Sequence, residues 1–256
     1  LPGNRSVAHR STICYVQRVV FATLRAHSTA ALFFAGTAHA PPSDESPGHN
    51  TMVITIDGPA GAGKSTVAAR LADRLGIEYL DTGAMYRAAT LEALDRDIDL
   101  DDPEQVAEVA RQCTISFEDG GSRHRVICNG RDVTEEIRTP RVTNNIYHVA
   151  DEPAAREPLV REQRRIAQTT DLVTEGRDQG TDAFPDADVK FYLDASLEER
   201  ARRRYDDLVE AGEDTSLDEV KNEMVERDRR DNSRPVGALR QTDDMIVVDS
   251  TDLPVD

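Results

Sequence analysis

The segment Gly58-Pro59-Ala60-Gly61-Ala62-Gly63-Lys64-Ser65-Thr66 places two glycines, a lysine and a hydroxyl at the spacing G-x-x-x-x-G-K-S, which suits the wrapping of phosphate. Without a Cβ, glycines let successive amide N–H groups turn inward onto anionic oxygens. The Lys64 ammonium then suits the β and γ phosphates of a nucleoside triphosphate, and the Ser65 hydroxyl suits Mg²⁺. The lysine is conspicuous, because only Lys64, Lys190 and Lys221 among 31 basic residues are lysines. A β-branched run over 52–57 precedes the loop, and apolar residues at helical spacing from Val67 to Leu75 follow it. Strand, glycine loop and helix together give the pattern its meaning, since the helix adds its positive end. A chance Lys-Ser after a glycine turn would lack that context.

A phosphate loop alone does not name a function. A guanine-reading N-K-x-D is absent from the sequence. Candidate strands at 172–174 and 189–193 end near Glu175 and Asp194, but Glu175 runs directly into Gly176-Arg177-Asp178, which reads as a substrate clamp rather than a hydrolase switch. Loops at strand C-termini are where open α/β sheets bind ligands. After the first helix comes Tyr79-Leu80-Asp81-Thr82-Gly83-Ala84-Met85-Tyr86-Arg87, where Thr82 is expected to cap the helix that carries Tyr86 and Arg87. Taken alone, Arg156 in a helix over 153–168 with Arg161, Arg164 and Arg165 reads as part of a solvated charged face. Asp231 and Arg234, in the dense charge run 226–234, read as surface ion pairs worth ~0–1 kcal/mol each.

The segment 79–87 resembles the D-[ST]-G-x-x-Y-R stretch of the bacterial cytidylate (CMP) kinases. The resemblance continues through Glu136-Ile137-Arg138-Thr139, Glu175-Gly176-Arg177-Asp178, Phe184-Pro185-Asp186-Ala187, Leu193-Asp194-Ala195-Ser196 with Glu198-Glu199-Arg200-Ala201, Glu226-Arg227-Asp228 with Asp231 and Arg234, and Val248-Asp249-Ser250-Thr251. It covers essentially all of 52–253. It implies an α/β P-loop kinase, with a central parallel sheet flanked by helices, a small antiparallel β insert (about 113–150) in the monophosphate-binding region and a short helical lid (about 196–214). The implied reaction moves the ATP γ-phosphate to CMP or dCMP with Mg²⁺. Arg87 and Arg177 are implied on the acceptor phosphate, Arg227 and Asp231 on phosphate and sugar, and Tyr86 beside the ribose. Thr82, Arg156, Asp178 and Arg234 are implied to read cytosine, whose N4 amine needs an acceptor while O2 and N3 need donors. One lid arginine, for which Arg203 is chosen among Arg200, Arg202, Arg203 and Arg204, is implied to fold onto the ATP phosphates. With Lys64 and Arg177 it makes up the expected catalytic set.

The chemistry asks for such residues independently. Phosphoryl transfer between two nucleotides crowds negative charge, and planar guanidiniums meet phosphate bidentately. An acidic chain of formal charge -17 must grip anions with local Arg clusters, and nucleic acid and anionic membrane are not expected partners. No run of about 18 apolar residues suggests a membrane span. Three cysteines, Cys14, Cys113 and Cys128, without a C-x-x-C pair fit neither a disulfide framework nor a zinc site, which suits a reducing cytoplasm. Alternating short strands with Asp119-Gly120-Gly121 and Asn129-Gly130 turns support the β insert. His124 and His148 are assigned neither ligand nor base roles.

Residues 52–256 of the 256 form the expected catalytic domain, and residues 1–51 are expected to be a disordered or non-functional extension. Arg18, Arg25, Ala31-Leu32-Phe33-Phe34 and Ala38-His39-Ala40 imitate a signal peptide, and the Arg-rich, acid-poor composition imitates a transit peptide. The preferred reading is an upstream extension with the natural start at Met52, and 41–50 reads as a linker. A monomer is the family expectation. Two departures stand out: Tyr147 occupies a place where the family usually has a serine orienting cytosine, and the family commonly continues past Asp249-Ser250-Thr251 into a final helix. The alternatives are a P-loop kinase for UMP, AMP or a metabolite hydroxyl, and a nucleotide-binding protein with decayed catalysis.

Overall fold

The computed structural model describes residues 11–34, 51–118 and 124–253, with backbone alone for 24–34. In chain order the elements are α1 (Thr12–Phe34), β1 (Val53–Asp57), α2 (Lys64–Leu75), β2 (Glu78–Asp81), α3 (Thr82–Asp95), α4 (Pro103–Gln112), β3 (Ile115–Glu118), β4 (Arg125–Cys128) and β5 (Arg131–Asp132). Then follow α5 (Pro140–Thr143), α6 (Tyr147–Ala150), α7 (Pro153–Ala167), β6 (Leu172–Gly176), β7 (Val189–Asp194), α8 (Leu197–Glu210), α9 (Leu217–Ser233) and β8 (Ile246–Asp249). Five strands form one parallel sheet in the order β2-β6-β1-β7-β8. All five residues of β1 are buried, as a central parallel strand covered on both faces requires.

The two faces of that strand sort by alternation. Ile54 and Ile56 pack with Val67, Leu71 and Phe191, while Val53 joins a second cluster with Leu80 of β2, Met85 of α3 and Leu159 of α7. Thr55 and Asp57 are buried polar residues of β1 and share the parity of Val53. A polar end to a central strand places its chemistry at the sheet's C-terminal edge, where the glycine loop begins.

The insert is a three-stranded antiparallel sheet, β3-β4-β5. Its β4–β5 turn uses Asn129 and Gly130 with φ of 50° and 80°, the paired positive values a two-residue type I′ hairpin needs. The turn at 119–121 lies outside the described residues, as do the A-x-A stretch, the linker at 41–50 and the last residues, 254–256. The three cysteines are free.

Part of the segment expected as an extension is among the described residues. Residues 12–34 are helical, and Ile13, Val16 and Val20 are fully buried against the α2 side of the sheet. Their i, i+3, i+7 spacing is the stripe of a core-facing helix, which Arg18 and the polar residues around it obscure in a composition count. No helix among the described residues is long and apolar enough to cross a membrane.

Candidate active site

Between β1 and α2 the chain turns through Gly61 (φ 78°) and Gly63 (φ 90°), a conformation that strains any residue with a Cβ. Gly58 is needed for a different reason: a Cβ there would stand 2.0 Å from the Leu193 carbonyl oxygen, so the loop lies directly on β7. Ala62 and Ala60 contribute carbonyls that hold the loop's outer side, accepting from Ser250 Oγ (3.1 Å) and Arg200 (3.1 Å). Ser65 and Thr66 stand exposed in the first turn of α2. Lys64 is buried, and its Nζ donates to the Pro59 carbonyl at 2.8 Å, so in this state it braces the loop. Burial pushes its ammonium down to about 7, with Arg177 and Arg227 adding to the fall and Glu175 and Asp231 opposing it.

Facing the loop is a cluster of guanidiniums drawn from separate elements. Arg177, after β6, donates Nε to Asp231 of α9 at 2.7 Å and a second N–H to the Gly176 carbonyl at 3.2 Å. Arg87 of α3 pairs with Asp81 at 3.3 Å. Arg227 has its own value lowered to about 10, by burial first and then by Arg177 and Arg87, with Asp231 opposing. Asp231 is held down at about 2: burial raises it, but Arg177, Arg234 and Arg227 outweigh that. Lys64, Arg87, Arg177 and Arg227 therefore share one field, balanced in part by Asp231 and by Glu175, whose carboxyl burial pushes up.

Beyond this cluster lies a second, drier pair. Arg156 and Asp178 form an ion pair with both side chains 4% exposed, and Arg156 also donates to the Ala150 carbonyl at 2.9 Å. The Arg156 guanidinium carbon sits 5.1 Å from the Tyr86 ring centroid. Arg234 bridges Asp151 and Asp231, the latter at 2.6 Å. The readings of Arg156 as a solvated face and of Asp231 and Arg234 as surface pairs do not hold, because α7 and α9 turn these residues inward.

Thr82 does not cap α3. Asp81 does so, accepting the Ala84 amide at 2.8 Å, and the Thr82 hydroxyl instead donates to the Glu175 carbonyl at 2.6 Å. A carboxylate one residue earlier competes successfully for the same orphan amides. Among the described residues Arg87 Nε and Arg156 Nε are buried polar atoms without a hydrogen-bond partner, the kind of donor a polar ligand satisfies.

At the start of α8, Ser196 caps the helix. Arg202 pairs outward with Glu199 and Asp206, while Arg200 is buried between the Ala195 and Ala60 carbonyls and Asp228. Arg203 bonds the Ser250 carbonyl at 2.7 Å, and its guanidinium lies 4.0 Å from where a Gly63 Cβ would stand. It is brought to the glycine loop and not to the cluster of Arg87, Arg177 and Arg227. Tyr147 lies beneath Arg230 of α9, 5.2 Å from guanidinium carbon to ring centroid. His148 lies 3.7 Å from Asp101, with its ring centroid 4.0 Å from that of Tyr147.

Three participants were not assigned from the sequence. Asp57 accepts the amides of Gln179 and Gly180; Glu175 lies buried beside Lys64; and Gly237 (φ 73°) fits against Arg156, where a Cβ would come within 2.1 Å of the guanidinium. The signal for Asp57 is an acid that ends a β-branched strand just before a glycine, a position that calls for a buried partner. Gly237 leaves no local signal.

The family model described as cytidylate kinase matches residues 54–256. A cytidylate kinase of Rhodopirellula baltica is 49% identical over 205 residues, covering 80% of this chain and 88% of that protein. One of Caldanaerobacter subterraneus subsp. tengcongensis is 50% identical over 203 residues, covering 79% and 89%. One of Bacillus thuringiensis is 44% identical over 203 residues, covering 79% and 90%. With so long a match laid over the glycine loop, the guanidinium cluster and the Arg156–Asp178 pair, this chain belongs to the cytidylate kinase family.

Proposed function

We propose that the chain is an ATP-dependent (d)CMP kinase, moving the γ-phosphate of ATP in line onto the phosphate of CMP or dCMP to give ADP and CDP or dCDP. The observation that carries this reading is the two-part cleft: shared cations facing the glycine loop, then a buried Arg156–Asp178 pair beyond them. The loop amides and Lys64 bind the ATP phosphates, and Lys64 exchanges the Pro59 carbonyl for phosphate oxygen. Arg203 closes on those phosphates and excludes water that would hydrolyse them. Arg87, Arg177 and Arg227 neutralise the acceptor phosphate, with Asp231 holding Arg177 and reaching the sugar. Tyr86 stands beside the ribose. Positioning and charge compensation supply the catalysis, with no covalent intermediate and no obligatory base.

At the base end Asp178 accepts from cytosine N4, while Arg156 and Arg234 donate toward O2 and N3 and Thr82 completes the set. Uracil presents an acceptor oxygen to the same carboxylate, and losing such a buried pairing costs about 1–3 kcal/mol. Among the described residues no group of three or more His, Cys, Asp and Glu side chains could hold a metal. Mg²⁺ takes one or two protein oxygens and draws the rest from phosphates and water, and Ser65, exposed in the first turn of α2, is the residue that would hold it. When bound it neutralises charge between the phosphates. The enzyme acts as a cytoplasmic monomer on free nucleotides, not on nucleic acid or at a membrane.

A coupled ADP-release assay of the full chain with CMP, dCMP, UMP and AMP tests this. Turnover is expected to be highest with CMP and dCMP. Highest turnover with AMP or UMP, or ADP release independent of any acceptor, would overturn it.

A further inference from the structure

Asp57 is fully buried and ends β1 one residue before the glycine loop. Its carboxylate accepts the Gln179 amide at 2.9 Å and the Gly180 amide at 2.7 Å. These amides open the five-residue π-helical turn Gln179–Ala183, whose N-cap residue is Asp178. An aspartate in that position ordinarily turns its own carboxylate onto the amides that follow it. Asp178 makes no such bond, and its carboxylate pairs with Arg156 instead. Two aspartates thus divide one task, the first capping the turn from a neighbouring strand and the second facing the base end of the cleft.

We propose that Asp57 is a positioning residue for base recognition: by capping the 179–183 turn from β1, it keeps the Asp178 carboxylate off its own backbone and ties Arg177 and Asp178 to the glycine loop. This rests on the (d)CMP kinase reading above. The turn is seated closely on the strand, for a Cβ on Gly180 would stand 2.9 Å from Thr55 Oγ1 and 3.3 Å from Asp57 Oδ2. Burial pushes the Asp57 carboxyl up to about 7 despite the two amides, with the Asp178 charge adding to the rise and Lys64 opposing it. Among the described residues these two amides are the donors to its carboxylate, so the contact that compensates the buried oxygen pair is also the one that orders the turn.

Asp57→Asn keeps the shape but replaces one acceptor with an N–H donor facing an amide N–H. One amide of the turn is then left for Asp178 to cap. In the full chain the ratio of kcat/KM for CMP over UMP is expected to fall about tenfold. In the ligand-free protein, deuterium exchange over 177–183 is expected to accelerate. A variant in which Asp57 is merely structural would lose thermal stability and slow both acceptors alike, so an unchanged ratio overturns the proposal. Wild-type turnover separates the two levels: a wild type that does not prefer CMP defeats the functional reading, and a selective wild type with an equally selective variant defeats only the role of Asp57. If Asp57→Asn does not fold, Gly180→Ala pushes the same amide away while leaving the carboxylate intact. It is expected to lower the ratio in the same direction, and an unchanged ratio there again overturns the proposal.

Discussion

Arg177 Nε and Asp231 Oδ2 lie 2.7 Å apart, joining the loop after β6 to α9 across the mouth of the cleft. Asp231 is nearly inaccessible and also receives Arg234, so its charge compensates guanidiniums that would otherwise repel one another before any phosphate arrives.

That relationship sets an acid dependence. Asp231 falls from the ordinary 3.8 to about 2 in the folded chain, so its contribution is fully present above about pH 4 and is lost as pH falls through about 2. The window contribution is about 2 kcal/mol. Urea unfolding between pH 2 and 6 is expected to show Asp231→Asn losing less stability on acidification than the wild type. Parallel curves would contradict the assignment.

Lys64, held near 7 by burial, is expected to regain its proton when the phosphates of ATP replace the Pro59 carbonyl. Calorimetric titration with ATP at pH 8 in buffers of unlike ionisation enthalpy should reveal uptake of about one proton per ATP. Buffer-independent heats would show that Lys64 does not change protonation. Lys64→Ala is expected to abolish turnover.

Asp178→Ala removes the carboxylate proposed to accept from N4 and strands Arg156 in a buried site. The CMP to UMP ratio of kcat/KM is expected to narrow by about tenfold, accompanied by a loss of stability of about 3 kcal/mol from the uncompensated guanidinium. A variant that keeps the wild-type ratio would assign base reading elsewhere.

The packing of α1 is directly measurable. Ile13 is fully buried with Val16 and Val20, and Ile13→Ala is expected to destabilise the full chain by about 2–4 kcal/mol in chemical denaturation. An effect within experimental error would mean that the helix does not dock on the core.

The strand, glycine loop and helix from Val53 to Leu75 were legible because each depends on its own few residues: β-branched side chains, glycines able to adopt positive φ, and apolar positions one helical turn apart. The Asn129-Gly130 hairpin was legible for the same reason. What the chain alone left open was desolvation. Arg156, Asp231 and Arg234 carry no local mark that separates them from Arg161 or Arg229, which stay on the surface. Only the docking of α7 and α9 against the β6 loop decides which guanidiniums lose water and find carboxylates. The cap that Asp57 supplies spans 122 residues to Gln179, and the stripe on α1 gains its role only once α2 lies beside it. Periodicity is written within a window of neighbours. Burial, and the charge state it imposes, is a property of contacts between segments that are distant in the chain.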